Sequence, residues 1–394
     1  NAANLDQARP GSLVVLLGKN GGADYAGDLD RGDRPPYSCM AGAGGADAEP
    51  LPDCLPVDGP SHTVDGLVFG PDGALYVSAG DGTLQPDLNV RAQNLDSLAG
   101  KILRIDPITG AGLPDNPFYN GDPTSNRARV FALGLRNPYR FTFDPDGTLV
   151  VGDVGGERWE EINRGAAGAN FGWPCLEGPL PNSGEPACAG VLAGSAPAVA
   201  AWHGYAHEGG YSAAIGGDFY TGDKFPASYQ GSYFFADHNR AALLYLPAGA
   251  GPDAEAQLFA GNVIAPVQIT QGPDGSLYVL SFVDGALSRI RYTGADAASA
   301  DAASADAASA DAIDPATASA AAAETAGSAP VVTITAPADG SIWPEGAAVD
   351  LAGTAVDAEG GPLVGDALQW EATLHHNEHI HPDFFHGSGE RAQL

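Results

Sequence analysis

The chain has 394 residues and a formal net charge of −31, with 18 Lys and Arg against 49 Asp and Glu. That balance excludes a row of cations able to neutralise nucleic-acid phosphates or to hold an anionic membrane surface. A surplus of acid fits a solubilising surface and also attracts cations such as calcium. No apolar run approaches the roughly 20 residues of a membrane-spanning helix. No signal-peptide pattern is present, and the sequence opens abruptly at Asn1, as it would after removal of a leader.

In chain order, Cys39 and Cys54 bracket the first irregular loop. Alternating β-branched and aromatic runs follow at 67–69, 75–78 and 276–282, and Gly (54) and Pro (31) punctuate them up to residue 292. Few stretches have the 3.6-residue period of a long amphipathic helix, so the class is all-β. Cys175 and Cys188 bracket a second loop. Neither cysteine pair has zinc-knuckle spacing, so disulfides Cys39–Cys54 and Cys175–Cys188 are expected. They imply an oxidising compartment, and hence a secreted or periplasmic protein.

One unit recurs. Gly70-Pro-Asp-Gly73, Asp144-Pro-Asp-Gly147 and Gly272-Pro-Asp-Gly275 each precede an apolar strand, and they lie 74 and then 128 residues apart. Proline presets φ, aspartate caps the turn and glycine takes the positive φ of a hairpin. A four-stranded unit every 64 to 74 residues is a β-propeller blade, with a degenerate blade around 215–236. Residues 1–292 then supply about four to four and a half blades. From 293 to 329 an Ala/Asp/Ser tract reads as an extended acidic linker. Residues 330–394 regain strand character at 331–335, 349–354 and 368–374, with turns at 337–340 and 359–361, and resemble part of a bacterial Ig-like or PKD-like β-sandwich. No closing strand is evident at the end.

The run FALGLRNPYRFTFDPDGTLVVGDVGGERWEEINRGAAGANFGWPCLEG, residues 131–178, resembles the signature of the glucose/sorbosone dehydrogenase family, which includes the soluble quinoprotein sugar dehydrogenases. The resemblance implies a six-bladed propeller, here without its first blade or two. It implies oxidation of aldoses at C1 to lactones, with PQQ and calcium as cofactors and an external electron acceptor. His62, before the first Pro-Asp-Gly unit, stands at the place of the family's general base, although Asp65-Gly66 replaces the usual Gly-Arg that follows. Imidazole can take a proton near neutral pH. Arg136 matches the arginine beside the quinone, where a guanidinium offers forked donors. Asn137 adjoins it and shapes the turn. Gly155 and Gly156 match the corner whose carbonyls hold calcium. Arg240 completes the cofactor-binding set, but Asn239, Ala265 and Val267 stand where the family has a lysine and two arginines.

Each of these residues also has a plainer reading as part of a loop or turn. The alternative function is a non-catalytic propeller for carbohydrate binding or adhesion, associated with the cell surface through the C-terminal module. Glu160 and Glu161 are adjacent on a strand, face opposite ways and read as scaffold. Finally, His375, His376, His379, His381 and His386 fall within 12 residues. They suit zinc, copper or nickel, or else form a solvated strand end and loop.

Overall fold

The computed structural model describes residues 12–20, 39–41, 49–58, 61–82, 86–207, 211–252, 254–283, 285–292, 331–336, 349–356, 362–363, 369–376, 379–389 and 391–393. The 293–329 tract and the turns at 337–340 and 359–361 lie outside them. The chain divides into two compact units, Asn1–Ser304 and Ala305–Leu394.

The first unit is built from four consecutive antiparallel sheets among the described residues. The first holds β1 (Val64–Phe69), β2 (Leu75–Ala79), β3 (Lys101–Ile105) and β4 (Val130–Leu133). The second holds β5 (Pro138–Phe143), β6 (Leu149–Asp153) and β7 (Trp159–Gly165). A small hairpin of β8 (Leu176–Glu177) and β9 (Leu180–Pro181) intervenes before its outer strand β10 (His203–Ala206). The third holds β11 (Ala214–Phe219), β12 (Tyr233–Asp237), β13 (Ala242–Leu246) and β14 (Gln257–Ala260). The fourth has three strands, β15 (Pro266–Gln271), β16 (Leu277–Ser281) and β17 (Ala286–Ile290). Each sheet runs in sequence order, so each is a meander, and the first strands β1, β5, β11 and β15 stand side by side. This is the blade arrangement of a β-propeller.

Local chemistry sets the blade turns. Gly73, Gly147 and Gly275 have φ of 77°, 81° and 78° and donate back to Gly70, Asp144 and Gly272. Asp72 and Asp274 cap the two residues that follow their turns, through Ala74 N–H and Ser276 N–H. The sheets then stack face to face. Tyr76 and Ile102 of the first blade meet Phe141, Leu149 and Val151 of the second. Val150 and Ile162 meet Tyr233 and Phe235 of the third, and Ile215 and Phe234 meet Ile269 and Val279 of the fourth. Strands β2, β3, β6 and β12 are buried throughout. Burying each such large side chain stabilises by about 1.5–3 kcal/mol. On the flanking sheets, Leu67 and Phe69 of β1 and Leu287 of β17 stay exposed.

The middles of the four inner strands enclose an axial cavity of about 400 Å³, lined by Asp65, Arg140, Asp218, Gln268 and Thr270 among others. Arg140 donates to the Asp65 carbonyl at 2.9 Å. Burial pushes the Asp65 carboxyl up to about 7 against the pull of Arg140, and burial likewise raises Asp218.

Both expected disulfides are formed, Cys39–Cys54 and Cys175–Cys188. In the second unit, β18 (Val331–Ala336), β19 (Asp350–Val356) and β20 (Pro362–Leu363) pair in order. β21 (Gln369–His376) and β22 (His379–Ser388) form a hairpin, and β23 (Arg391–Gln393) pairs with β19. One reading is corrected here. The histidine-rich segment is a strand pair rather than a strand end and loop. Pro382, Asp383 and Gly387 within β22 hid the strand signal, since all three residue types are poor strand formers.

Two outcomes follow. The double variant Cys175→Ser, Cys188→Ser, which opens a loop of sequence separation 13, should lose about 3 kcal/mol in denaturant unfolding. Asp65 in the folded chain holds its proton above the ordinary value of 3.8, so its contribution to stability falls as pH rises from about 4 to about 7. Asp65→Asn should therefore raise Tm near pH 8 and lose that advantage near pH 4, as read by calorimetry across pH.

Candidate active site

The strand registers give every blade the same address at one axial face. Val64 pairs with Ala79, Pro138 with Asp153, Ala214 with Asp237, and Pro266 with Ser281. Residues just before each inner strand thus neighbour residues just after its partner. His62 and Asp81, Arg136-Asn137 and Asp153–Gly156, and Asp237–Arg240 all occupy such positions. The Pro-Asp-Gly turns lie at the opposite ends of the strands.

His62 is buried, with φ of 57°, in the left-handed region. That conformation costs a non-glycine residue about 1–2 kcal/mol. Gly82 holds it by donating to the His62 carbonyl at 2.9 Å. Gly80 has to be glycine, because a Cβ there would lie 2.5 Å from the same carbonyl oxygen. His62 Nδ1 lies 2.8 Å from Asp81 Oδ1, so this nitrogen carries the proton and donates, leaving Nε2 as the acceptor. Asp81 is wholly buried, and its Oδ2 accepts from Trp173 Nε1 at 2.9 Å. Its backbone N–H donates to the Arg136 carbonyl at 2.8 Å.

Trp173 is fixed by its turn. Gln93 Nε2 donates to the Trp173 carbonyl at 2.7 Å and to Asn170 Oδ1, while Asn170 Oδ1 also accepts from Gly172 N–H. The Arg136 guanidinium sits 5.5 Å from the Trp173 ring centroid and donates to the Val154 carbonyl. Arg136, Gly155 and Trp173 line one small pocket together with Asp153, Glu161 and Glu177. His62 does not line this pocket and connects to it through Asp81, which contacts both Trp173 and the Arg136 carbonyl. None of the candidate residues lines the larger axial cavity.

Buried carboxylates hold the loops. Asp153 Oδ1 accepts from Asn137 N–H at 2.7 Å, and both its oxygens accept from Arg136 N–H. Glu160 Oε2 accepts from Gly155 N–H and from Ala214 N–H of the next blade, and its Oε1 lies 2.6 Å from His207 Nε2. Glu177 Oε1 accepts from Gly156, Arg158 and Trp159 N–H groups. Glu161 instead takes Asn163 and the Gly178 N–H, so the two adjacent glutamates serve separate scaffolds. Gly155 tolerates no side chain, since a Cβ would meet the Trp159 carbonyl at 1.6 Å. Asn137 Oδ1 is buried with no partner among the described residues.

Burial, with the Glu161 charge next, drives Asp153 well above the ordinary carboxylate range, and burial raises Glu161 too. Burial would also raise Glu177, but the Arg158 backbone and side-chain donors and Trp159 N–H outweigh it and hold this carboxyl low. The hydrogen bond with Glu160, chiefly, raises His207.

Arg240 stands apart from Arg136. Its Nε donates to Ser212 Oγ, its Nη2 donates to the Ala206 carbonyl, and its guanidinium covers the Tyr205 ring at 4.8 Å. Asp237 lies 3.5 Å from the same guanidinium. Ala265 and Val267 are buried and neutral. Among the described side chains, no group of three or more His, Cys, Asp or Glu forms a metal cluster. Asp81, Trp173, Glu177 and His207 were absent from the sequence-level site. Trp173 and Glu177 lie within the 131–178 run, whereas Asp81 and His207 carry no motif.

A β-propeller with a histidine–aspartate pair, an arginine and a glycine corner at one axial face defines the class. The chain belongs to the glucose/sorbosone dehydrogenase family, whose sequence profile matches residues 52–289. It is 33% identical over 237 residues to the HIPL2 protein of Arabidopsis thaliana, covering 53% of this chain and 34% of that one. It is 29% identical over 226 residues to the aldose sugar dehydrogenase YliI of Escherichia coli, covering 56% and 57%. The chain therefore spans about a third of the first relative and somewhat over half of the second. Among solved structures, a glucose dehydrogenase superposes with a TM-score of 0.49 at 26% identity, over 60% of this chain and 66% of that chain. Members bearing dehydrogenase names place the family among oxidoreductases. Among the described residues no helix is long and apolar enough to cross a membrane.

The His207–Glu160 contact predicts a pH signature. A histidine raised in the folded state stabilises below its ordinary value of 6.5, and that contribution is lost as pH rises through the folded value. The Tm gap between the parent chain and His207→Gln should be widest in mild acid and close in alkali. An unchanged gap across pH would assign His207 a packing role only.

Proposed function

We propose that this chain is the propeller part of a PQQ- and calcium-dependent aldose dehydrogenase that oxidises sugars at C1 to lactones, acting outside the cytoplasm. The observation that carries the reading is the His62–Asp81–Trp173–Arg136 chain of contacts at the axial face. The two disulfides support an oxidising compartment.

The residues fit the implied groups in part. The carbonyls of Gly155 and Gly156 are the proposed calcium ligands. Among the described residues no donor occupies them, and the N–H groups beside them are committed to Glu160 and Glu177. Arg136 would contact a quinone carboxylate or carbonyl, with Asn137 Oδ1 an adjacent free acceptor. When bound, PQQ supplies the hydride acceptor and calcium polarises the carbonyl that receives it. Asp81 fixes the His62 tautomer, so that Nε2 takes the proton of the anomeric hydroxyl. Trp173 holds Asp81 in place and offers a flat apolar wall. Asn239, Ala265 and Val267 put no cation at three positions where the resemblance implies one, and Arg240 spends two of its N–H donors on Ser212 and Ala206.

That shortage favours a second reading, a propeller that binds carbohydrate at the same face without oxidising it. An external electron acceptor, and cell-surface association through the second unit, belong to the first reading and the second respectively.

The test is reconstitution with PQQ and calcium, then dye reduction with aldoses. His62→Ala should lower the chemical rate by roughly 100- to 10,000-fold. Arg136→Ala should mainly weaken PQQ binding, measured by fluorescence titration. Sugar binding without calcium-dependent PQQ binding would favour the second reading.

A further inference from the structure

Five of the chain's nine histidines lie at 375–386, in the second unit. The backbone there is a hairpin in which β21 and β22 pair antiparallel. His376 stands opposite His379, His375 opposite Ile380, and Leu374 opposite His381. Directly opposed residues of an antiparallel pair share a face, and residues two apart on one strand share it as well. His376, His379 and His381 therefore occupy positions on one face. His375 falls on the other with Ile380. The register shift lies between Ala372 and Leu374 and leaves these three pairings regular.

Opposed positions have Cβ atoms about 4.5–5.5 Å apart and diagonal ones about 7–8 Å. Imidazoles from such positions can converge on one ion with metal–nitrogen bonds of about 2.0–2.1 Å. We propose that His376, His379 and His381 form a binding site for one divalent, imidazole-preferring transition metal ion of the zinc, copper or nickel class. The juxtaposition that carries this is a cross-strand histidine pair extended by a third histidine two residues along one strand. Three nitrogen donors leave a coordination position open to water or an outside ligand. The donors are neutral, so the ion keeps its full charge, and a chain of net charge −31 concentrates cations around it. Nothing in this site depends on the dehydrogenase reading.

The full chain, stripped with a chelator and supplied with excess calcium to fill any oxygen-ligand site, is titrated with zinc by calorimetry. One equivalent should bind. His376→Ala, His379→Ala and His381→Ala should each weaken it by on the order of 100-fold or more, since even the loss of outer-sphere partners costs about 10–100-fold. His375→Ala should leave it unchanged. Affinity should fall as pH drops below about 6.5, where imidazole protonates. A measurement on the parent chain guards against variants that fail to fold: zinc should protect these three histidines from diethyl pyrocarbonate, mapped by mass spectrometry. Absence of zinc binding, binding that survives in the triple variant, or equal weakening by His375→Ala would overturn the assignment.

Discussion

Irregular backbone at the axial face of the propeller has to be buried, and its N–H groups have no strand partners there. Buried carboxylates supply the missing acceptors. Asp153 takes the Arg136-Asn137 turn, Glu160 takes Gly155 and Ala214, Glu177 takes the loop from Gly156 to Trp159, and Asp237 takes Ala213, Asn239 and Arg240. Leaving such donors unpaired would cost about 1–3 kcal/mol each. The candidate residues hold their places because these acids do. His62 is held in the same way from its side chain, with Asp81 fixing the ring.

The same acids create an electrostatic tension. Arg136 shares its pocket with Asp153, Glu161 and Glu177, so an anionic ligand approaching the guanidinium meets negative charge as well. Burial works against this, because it shifts both Asp153 and Glu161 toward their neutral forms. Arg158 pairs with Glu177 and Arg91 donates to the Asp81 carbonyl, while Asn239, Ala265 and Val267 are neutral. The face thus combines a buried His62–Asp81 pair and the Trp173 ring with neutral residues at 239, 265 and 267.

The blade plan was legible in the sequence because a Pro-Asp-Gly turn is local. Three residues determine its φ values, cap and glycine position, and the neighbouring β-branched runs supply the strands. The cysteine pairs were legible for the same reason. The supporting network was not. Trp173 reaches Asp81 across 92 positions and Glu160 reaches Ala214 across 54, and neither contact leaves a pattern in the chain. Arg240 shows a second kind of gap: its place in the sequence suggested the cofactor, while its hydrogen bonds to Ser212 and Ala206 leave no pattern in the chain. The β22 strand was obscured by residues whose average preferences oppose the conformation they adopt.

Glu160 Oε2 accepts hydrogen bonds from amides of two blades at once, Gly155 in the loop that follows β6 and Ala214 at the first residue of β11. Loss of that oxygen would leave both donors without their acceptor, so the second and third blades share a latch as well as a packed seam. Amide deuterium exchange at Gly155, in a loop, and at Ala214, in a strand, should therefore respond together to removal of the Glu160 carboxylate.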